Sequence, residues 1–142
     1  MPADRNQLIA TLKRLGQAAR NMGNLHEALR LYEEAAGLCE QEGDNQLLAH
    51  TIRHVGDIYF ALEQRDLAEP NYLRALTLYR TDASSSPLDL ANALRPYALL
   101  KEACGEAGLA QAMWQEAMSL YKIAEIPAGV QECAEHLRSP TH

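Results

Sequence analysis

Residues 28–38 of this chain read ALRLYEEAAGL, residues 68–78 read AEPNYLRALTL, and residues 110–120 read AQAMWQEAMSL. In each, Ala is followed by an aromatic residue four positions on, a second Ala three later and Leu three later again. The copies begin forty and forty-two residues apart. Steps of four and three put Ala28, Tyr32 and Ala35 on one stripe of an α-helix. A short side chain lets a neighbouring helix come close, and the tall ring beside it fills the space that remains. A lone helical hairpin cannot cover its own apolar face, so hairpins written in tandem stack on one another.

The rest of the chain agrees with helices and not with strands. No segment alternates apolar and polar over five residues with the β-branched enrichment that strands show, and the only valines are Val55 and Val130. Helical rows recur instead: Leu8, Leu12, Leu15, Ala19 and Met22; Ile52, Val55, Tyr59 and Leu62; Leu90, Leu94 and Tyr97, with Lys101 intruding at the end of its row. Turn signals cut these rows into seven helices. The first covers about 4–22 and stops at Gly23. The second opens at Asn24, where Asn24 and Glu27 have capping-box spacing, and ends at Gly43. The third follows Gly43-Asp44-Asn45 and reaches residue 62. The fourth covers about 65–80, with Pro70 early enough to be tolerated. After the polar linker TDASSS, Ser86-Pro87-Leu88-Asp89 supplies a cap, a proline and a box acid. The fifth helix then runs to about 104, the sixth covers about 106–124, and the seventh about 127–138.

Composition narrows the class. A chain of 142 residues suits one domain. Its net charge of −6 argues against a nucleic-acid binder, whose footprint is usually basic. Cys39, Cys104 and Cys133 are odd in number and far apart, so they read as small buried hydrophobes in a reducing compartment. The opening MPADRNQLIATLKRL is too charged for a signal peptide, and no run approaches the roughly 18 apolar residues of a membrane span. A soluble, cytoplasmic protein with no membrane association is expected.

With these residues in place, the chain resembles the tetratricopeptide repeats. Their units carry a small residue in the second half of the first helix and the Ala–aromatic–Ala stripe in the second. The matching residues are Leu15-Gly16 with Ala28, Tyr32 and Ala35; Val55-Gly56 with Ala68, Tyr72 and Ala75; and Tyr97-Ala98 with Ala110, Trp114 and Ala117. The spacing exceeds the usual unit of about 34 residues, and AEPNYLRAL and SPLDLANAL are similar to the long, kinesin-light-chain type of unit. The resemblance covers residues 8–122. It departs in having no Trp near the start of any unit, Lys101 at a usually aromatic position, and Pro96 inside the fifth helix. Pro96 should remove a hydrogen bond and bend that helix. The resemblance implies a right-handed superhelical α-solenoid of three helix-turn-helix repeats plus a C-terminal capping helix. It implies one domain over 1–142, with repeats at about 5–42, 45–81 and 87–124 and the cap at about 127–138. It further implies a non-catalytic protein–protein interaction module whose first helices line a concave groove.

Charge gives that groove a character. Residues 5–22 carry Arg5, Lys13, Arg14 and Arg20 and no acid, whereas residues 25–42 set Arg30 against Glu27, Glu33, Glu34, Glu40 and Glu42. In the family's frame the groove-facing residues are Lys13, Arg14, Gln17, Arg20 and Asn21 from the first unit. The second supplies His50, Arg53, His54 and Asp57, and the third Asn92 and Arg95. Taken singly, each is a solvated side chain on an exposed face. Together they suit an acidic peptide or a terminal carboxylate, which Arg forks match geometrically. Phe60 and Leu99 are the candidate apolar anchors, although core packing accounts for each more simply. Chaperone-binding members of the family clamp a terminal carboxylate with Lys and Asn four apart, then Asn, then a basic pair. Only Lys13 fits, because Gln17, His54, Asn92 and Pro96 occupy the other positions, so that mode is not expected.

Catalysis is not expected either. His50 and His54 share a helical face with Asp57, a spacing that can hold a metal, but no Glu-bearing motif or Cys partner accompanies them. No metal and no cofactor are expected. His26, His136 and His142 have no apparent partners, and no phosphate loop, nucleophile elbow or Cys–His constellation is present. Two alternatives to a peptide-binding module stay open: a self-associating element, a homodimer through the N-terminal repeat, and a small-ligand or metal-sensing domain. Val130, Cys133, Ala134 and Leu137 form one stripe on the seventh helix, as a cap requires.

Overall fold

The computed structural model describes residues 2–138 as seven α-helices: α1 (Pro2–Asn21), α2 (Leu25–Glu42), α3 (Asn45–Ala61), α4 (Arg65–Thr81), α5 (Pro87–Ala103), α6 (Ala107–Ile123) and α7 (Pro127–Arg138). No strand occurs among the described residues, so the chain is all-α, as its periodicity predicts. His142 lies outside the described residues. The chain divides into two compact units, residues 1–78 and 79–142.

Local chemistry explains the starts and stops. Asp44 caps α3 by accepting from the Leu47 N–H, and Ser86 caps α5 by accepting from the Asp89 N–H, each satisfying a helix-end donor. Asn24 forms no such side-chain bond, which corrects the capping box expected there. The Asn24 N–H instead donates to the Ala19 carbonyl at 2.8 Å and the Gly23 N–H to Arg20 at 3.0 Å. The turn is therefore held from the C-terminal side of α1, with Gly23 at φ +80°. The same turn recurs after α3, α5 and α6, at Glu63, Gly105 and Glu125. Pro96 sits buried inside α5, which continues to Ala103.

In the first unit α1 packs on α2 and α2 on α3. The core holds Ile9, Leu12, Leu31, Tyr32, Ile52, Val55 and Ile58. The stripe alanines Ala28 and Ala35 are wholly buried with Tyr32 between them. The glycines of the first helices receive the rings of the second. A Cβ on Gly16 would stand 2.8 Å from the Tyr32 ring, and one on Gly56 would stand 2.8 Å from the Tyr72 ring. Only a missing side chain permits that approach. In the second unit α5 packs on α6 and α6 on α7. Trp114 is fully buried, flanked along its helix by buried Ala110 and Ala117. One crossing was not legible in the repeat: a Cβ on Gly129 of α7 would lie 2.5 Å from the Tyr121 ring. Cys39 and Cys133 are buried as expected, but Cys104 ends α5 in solvent and is exposed.

Candidate functional site

The eleven polar residues singled out in the sequence fall in both units. Nine lie on α1 and α3 in the first unit, and several of these meet directly. The Lys13 ammonium donates to His50 Nδ1 at 2.7 Å. An ammonium has donors only, so that nitrogen accepts and the ring carries its proton on Nε2. Burial pushes the Lys13 pKa down, and the Arg53 charge adds to that. Further along the same two helices, Arg20 Nη1 lies 3.9 Å from Asp57 Oδ2.

His54 occupies the middle of this cluster. Its ring stacks on Tyr32 with centroids 5.3 Å apart and meets the His50 ring edge-on at 4.7 Å. Its Nδ1 is buried without a hydrogen-bond partner, and Asp57 Oδ2 stands 3.8 Å away. Burial, then the charges of Arg53, His50, Arg20 and Lys13, lower its pKa from 6.5 to about 3. Arg53, Arg20 and Lys13 each raise the potential at one imidazole, so their fields overlap there. At neutral pH His54 is an uncharged ring inside a cationic surround.

The second helices contribute more than packing. Tyr72 OH donates to Asp57 Oδ1 at 2.5 Å, and burial, with Asp57 beside it, raises the phenol pKa. Tyr32 OH donates to Gln17 Oε1 at 3.3 Å, and the Gln17 amide donates to Asn21 Oδ1 at 2.8 Å. Sequence reasoning took both tyrosines as space-filling rings. The one signal in the sequence was that these positions carry Tyr and not Phe. Arg14 is exposed on α1 and Arg53 half-buried on α3. Lys13, Arg20 and Arg53 thus act together on His54 beside the Asp57 carboxylate, and Asp44 acts on Lys13 as well.

Asn92 and Arg95 lie in the second unit, where they are engaged within it. Asn92 Oδ1 accepts from Tyr121 OH at 2.7 Å. Arg95 forks onto Glu132 of α7 at 2.6 and 2.9 Å, which offsets its charge. The offset of 37 residues equals that between Lys13 and His50, so the repeat places both pairs alike. Lys101, the intruder in its row, is buried yet reaches Glu106 at 2.6 Å and lies over the Tyr97 ring. His136, read as partnerless, is not: Nδ1 lies 2.9 Å from Glu102 Oε2, and its ring stacks on Trp114 at 4.0 Å. The Trp114 indole N–H donates to the same carboxylate at 2.8 Å. The two His136 contacts depend on how α7 packs, which sequence spacing does not reveal. Among the described residues no three His, Cys, Asp or Glu side chains are grouped to hold a metal, and no helix is long and apolar enough to cross a membrane.

Paired helices with rings seated on glycine, and polar side chains gathered across successive first helices, define a helical-repeat protein of the interaction-module class. The tetratricopeptide-repeat family model matches residues 7–81, more than half of the chain, and the chain belongs to that family. Such repeats are generally protein–protein interaction modules and typically non-enzymatic. Among solved structures the chain is similar to the crystal structure of BtubC (BKLC) from P. vanneervenii, with 16% identity and a TM-score of 0.74. The match covers 94% of this chain and 63% of that one, so the chain spans less than two thirds of that protein's length. At this identity the likeness is one of fold. No curated protein matches in sequence.

Proposed function

We propose that the first unit binds an acidic peptide or protein segment on the face formed by α1 and α3, with Lys13, Arg14, Arg20 and Arg53 as its cations. The observation that carries this reading is the convergence of the Arg53, Arg20 and Lys13 fields on His54, with Asp57 Oδ2 3.8 Å from its ring nitrogen. A carboxylate entering there meets donors already held in place, by the bond to His50 for Lys13 and by Asp57 for Arg20. Exposed ion pairs contribute about 0.2–1 kcal/mol each, so several must act together with an apolar anchor. Phe60 on α3 is half-buried and available for that role. Asn92 and Arg95 would serve a bound segment less, since Tyr121 and Glu132 already engage them. The forty- and forty-two-residue spacing supports placing the repeats in the long-unit subclass.

The test is charge reversal at Lys13, Arg14 and Arg53 together, read by fluorescence anisotropy of a labelled Asp/Glu-rich peptide containing Leu and Phe. The variant should lose binding at least about a hundredfold, roughly 2.7 kcal/mol. Its melting temperature should stay within about 4 °C of wild type, the span roughly 1 kcal/mol covers at this size. Unchanged binding would remove this face from consideration.

A second reading rests on a different face of α1. Leu8, Leu15 and Met22 are 45%, 50% and 75% exposed and stand seven residues apart, with Thr11 and Ala18 between them. Spacing symmetric about Leu15 lets two such helices cross antiparallel, Leu8 meeting the partner's Met22, as a two-fold contact requires. In light scattering, a mass that doubles with concentration and returns to the single-chain value in Leu15→Lys would support self-association. A single-chain mass at every concentration would end that reading.

A further inference from the structure

Resting on the acidic-segment reading above, we infer that the first unit takes up a proton at His54 when an acidic segment binds, so that occupancy of the face is linked to pH. The geometry is a buried imidazole edge with an acceptor just out of reach. His54 Nδ1 has no hydrogen-bond partner, and Asp57 Oδ2 lies 3.8 Å away, a movement of under one ångström from a charge-assisted bond. The groups facing the ring come from every helix around it. They are Lys13 and Arg20 from α1, the Tyr32 ring from α2, and His50, Arg53 and Asp57 from α3, with Tyr72 of α4 bonded to Asp57.

Without a ligand the cations oppose a further positive charge on the ring, and burial opposes it more strongly. Asp57 is the only carboxylate among these groups, and it also serves Tyr72 and Arg20. A segment that sets carboxylates against Lys13 and Arg53 cancels part of the cationic field and leaves the burial cost. The imidazolium becomes easier to form. A proton from solvent then completes it, and Nδ1–H turns toward Asp57 Oδ2. Nothing is oxidised or reduced, and the buffer supplies the proton. The coupling is reciprocal: whatever factor the segment adds to proton affinity, the proton adds to segment affinity. Lowering the pH should therefore tighten binding.

The experiment follows the His54 imidazole by carbon–proton NMR while the pH falls from 8 to 2.5, so that the titration reaches the midpoint of the free protein. The spectrum is recorded with and without a saturating peptide carrying three sulfotyrosines, whose sulfates stay ionised throughout. His54→Gln assigns the resonance, and His50→Gln checks that the neighbouring ring is not its source. The midpoint of His54 should rise by at least about one unit on saturation, the least that a nearby opposite charge usually gives. Peptide affinity should rise toward acid pH in wild type and in His50→Gln, and stay flat in His54→Gln. Peptide that binds while the His54 midpoint stays fixed would overturn the linkage and leave the binding face standing. Failure of the peptide to bind at any pH would overturn both.

Discussion

Trp114→Ala should lower the stability of the second unit by about 3–5 kcal/mol, the usual loss when a buried tryptophan is truncated. The ring is wholly inaccessible to solvent, and its removal leaves a cavity where α6 crosses its neighbours. Two further losses follow from its contacts. Glu102 Oε2 loses the indole donor at 2.8 Å, and His136 loses the ring on which it stacks at 4.0 Å. Trp114→Phe keeps an aromatic ring at this position while removing the N–H and part of the indole's volume. It should cost less than Trp114→Ala, because the cavity left is smaller and Glu102 Oε2 keeps His136 Nδ1 at 2.9 Å. Urea denaturation followed by far-ultraviolet circular dichroism measures both. Amide exchange in α7 should speed up in Trp114→Ala, since His136 ties that helix to the ring. A loss below about 1 kcal/mol for Trp114→Ala, the scale of an ordinary surface change, would mean that the α6–α7 packing does not depend on the ring.

The second large effect concerns acid. His54 has a folded pKa of about 3 against 6.5 when unperturbed. Between those values the unfolded chain binds a proton that the folded chain refuses, so stability falls as pH drops through this window. Each unit of pH removes about 1.4 kcal/mol. By pH 4 the wild type should have lost roughly 3 kcal/mol through this one group. His54→Gln keeps a similar shape and cannot charge. Its stability should therefore decline less between pH 7 and pH 4, and the gap between the two proteins should narrow or reverse in acid. Parallel profiles for the two would show that His54 titrates normally and that the surrounding cations do not act on it. A saturating acidic peptide should blunt the wild-type slope, because it relieves the field that keeps His54 neutral.

The two effects differ in how far the sequence foresees them. Ala110, Trp114 and Ala117 stand at spacings that announce a buried ring between short side chains, so the packing half of the Trp114 result is legible without coordinates. The hydrogen bond to Glu102 is not, because it depends on how α5 and α6 approach, and the His136 stack is not, because α7 must first pack against that pair. His54 is a harder case. Its helix and its face are readable from His50, His54 and Asp57 at steps of four and three. Its neutrality is not, since that depends on burial and on charges from α1, 34 and 41 residues earlier in the chain.

What the sequence determined by itself is local and periodic. It set seven helices, the cap at Ser86, the stop at Gly23, and the stripes that place Tyr32, Tyr72 and Trp114 between alanines. Backbone hydrogen bonds and side-chain spacing within one or two turns decide such features, and they leave their mark on neighbouring residues. Tertiary structure decided which polar groups pair. It joined Lys13 to His50, Tyr72 to Asp57, Arg95 to Glu132 and His136 to Glu102, and it left His54 Nδ1 alone. Those outcomes depend on sub-ångström approach between helices and on exclusion of water, which set both hydrogen-bond geometry and protonation, and no spacing along the chain encodes either.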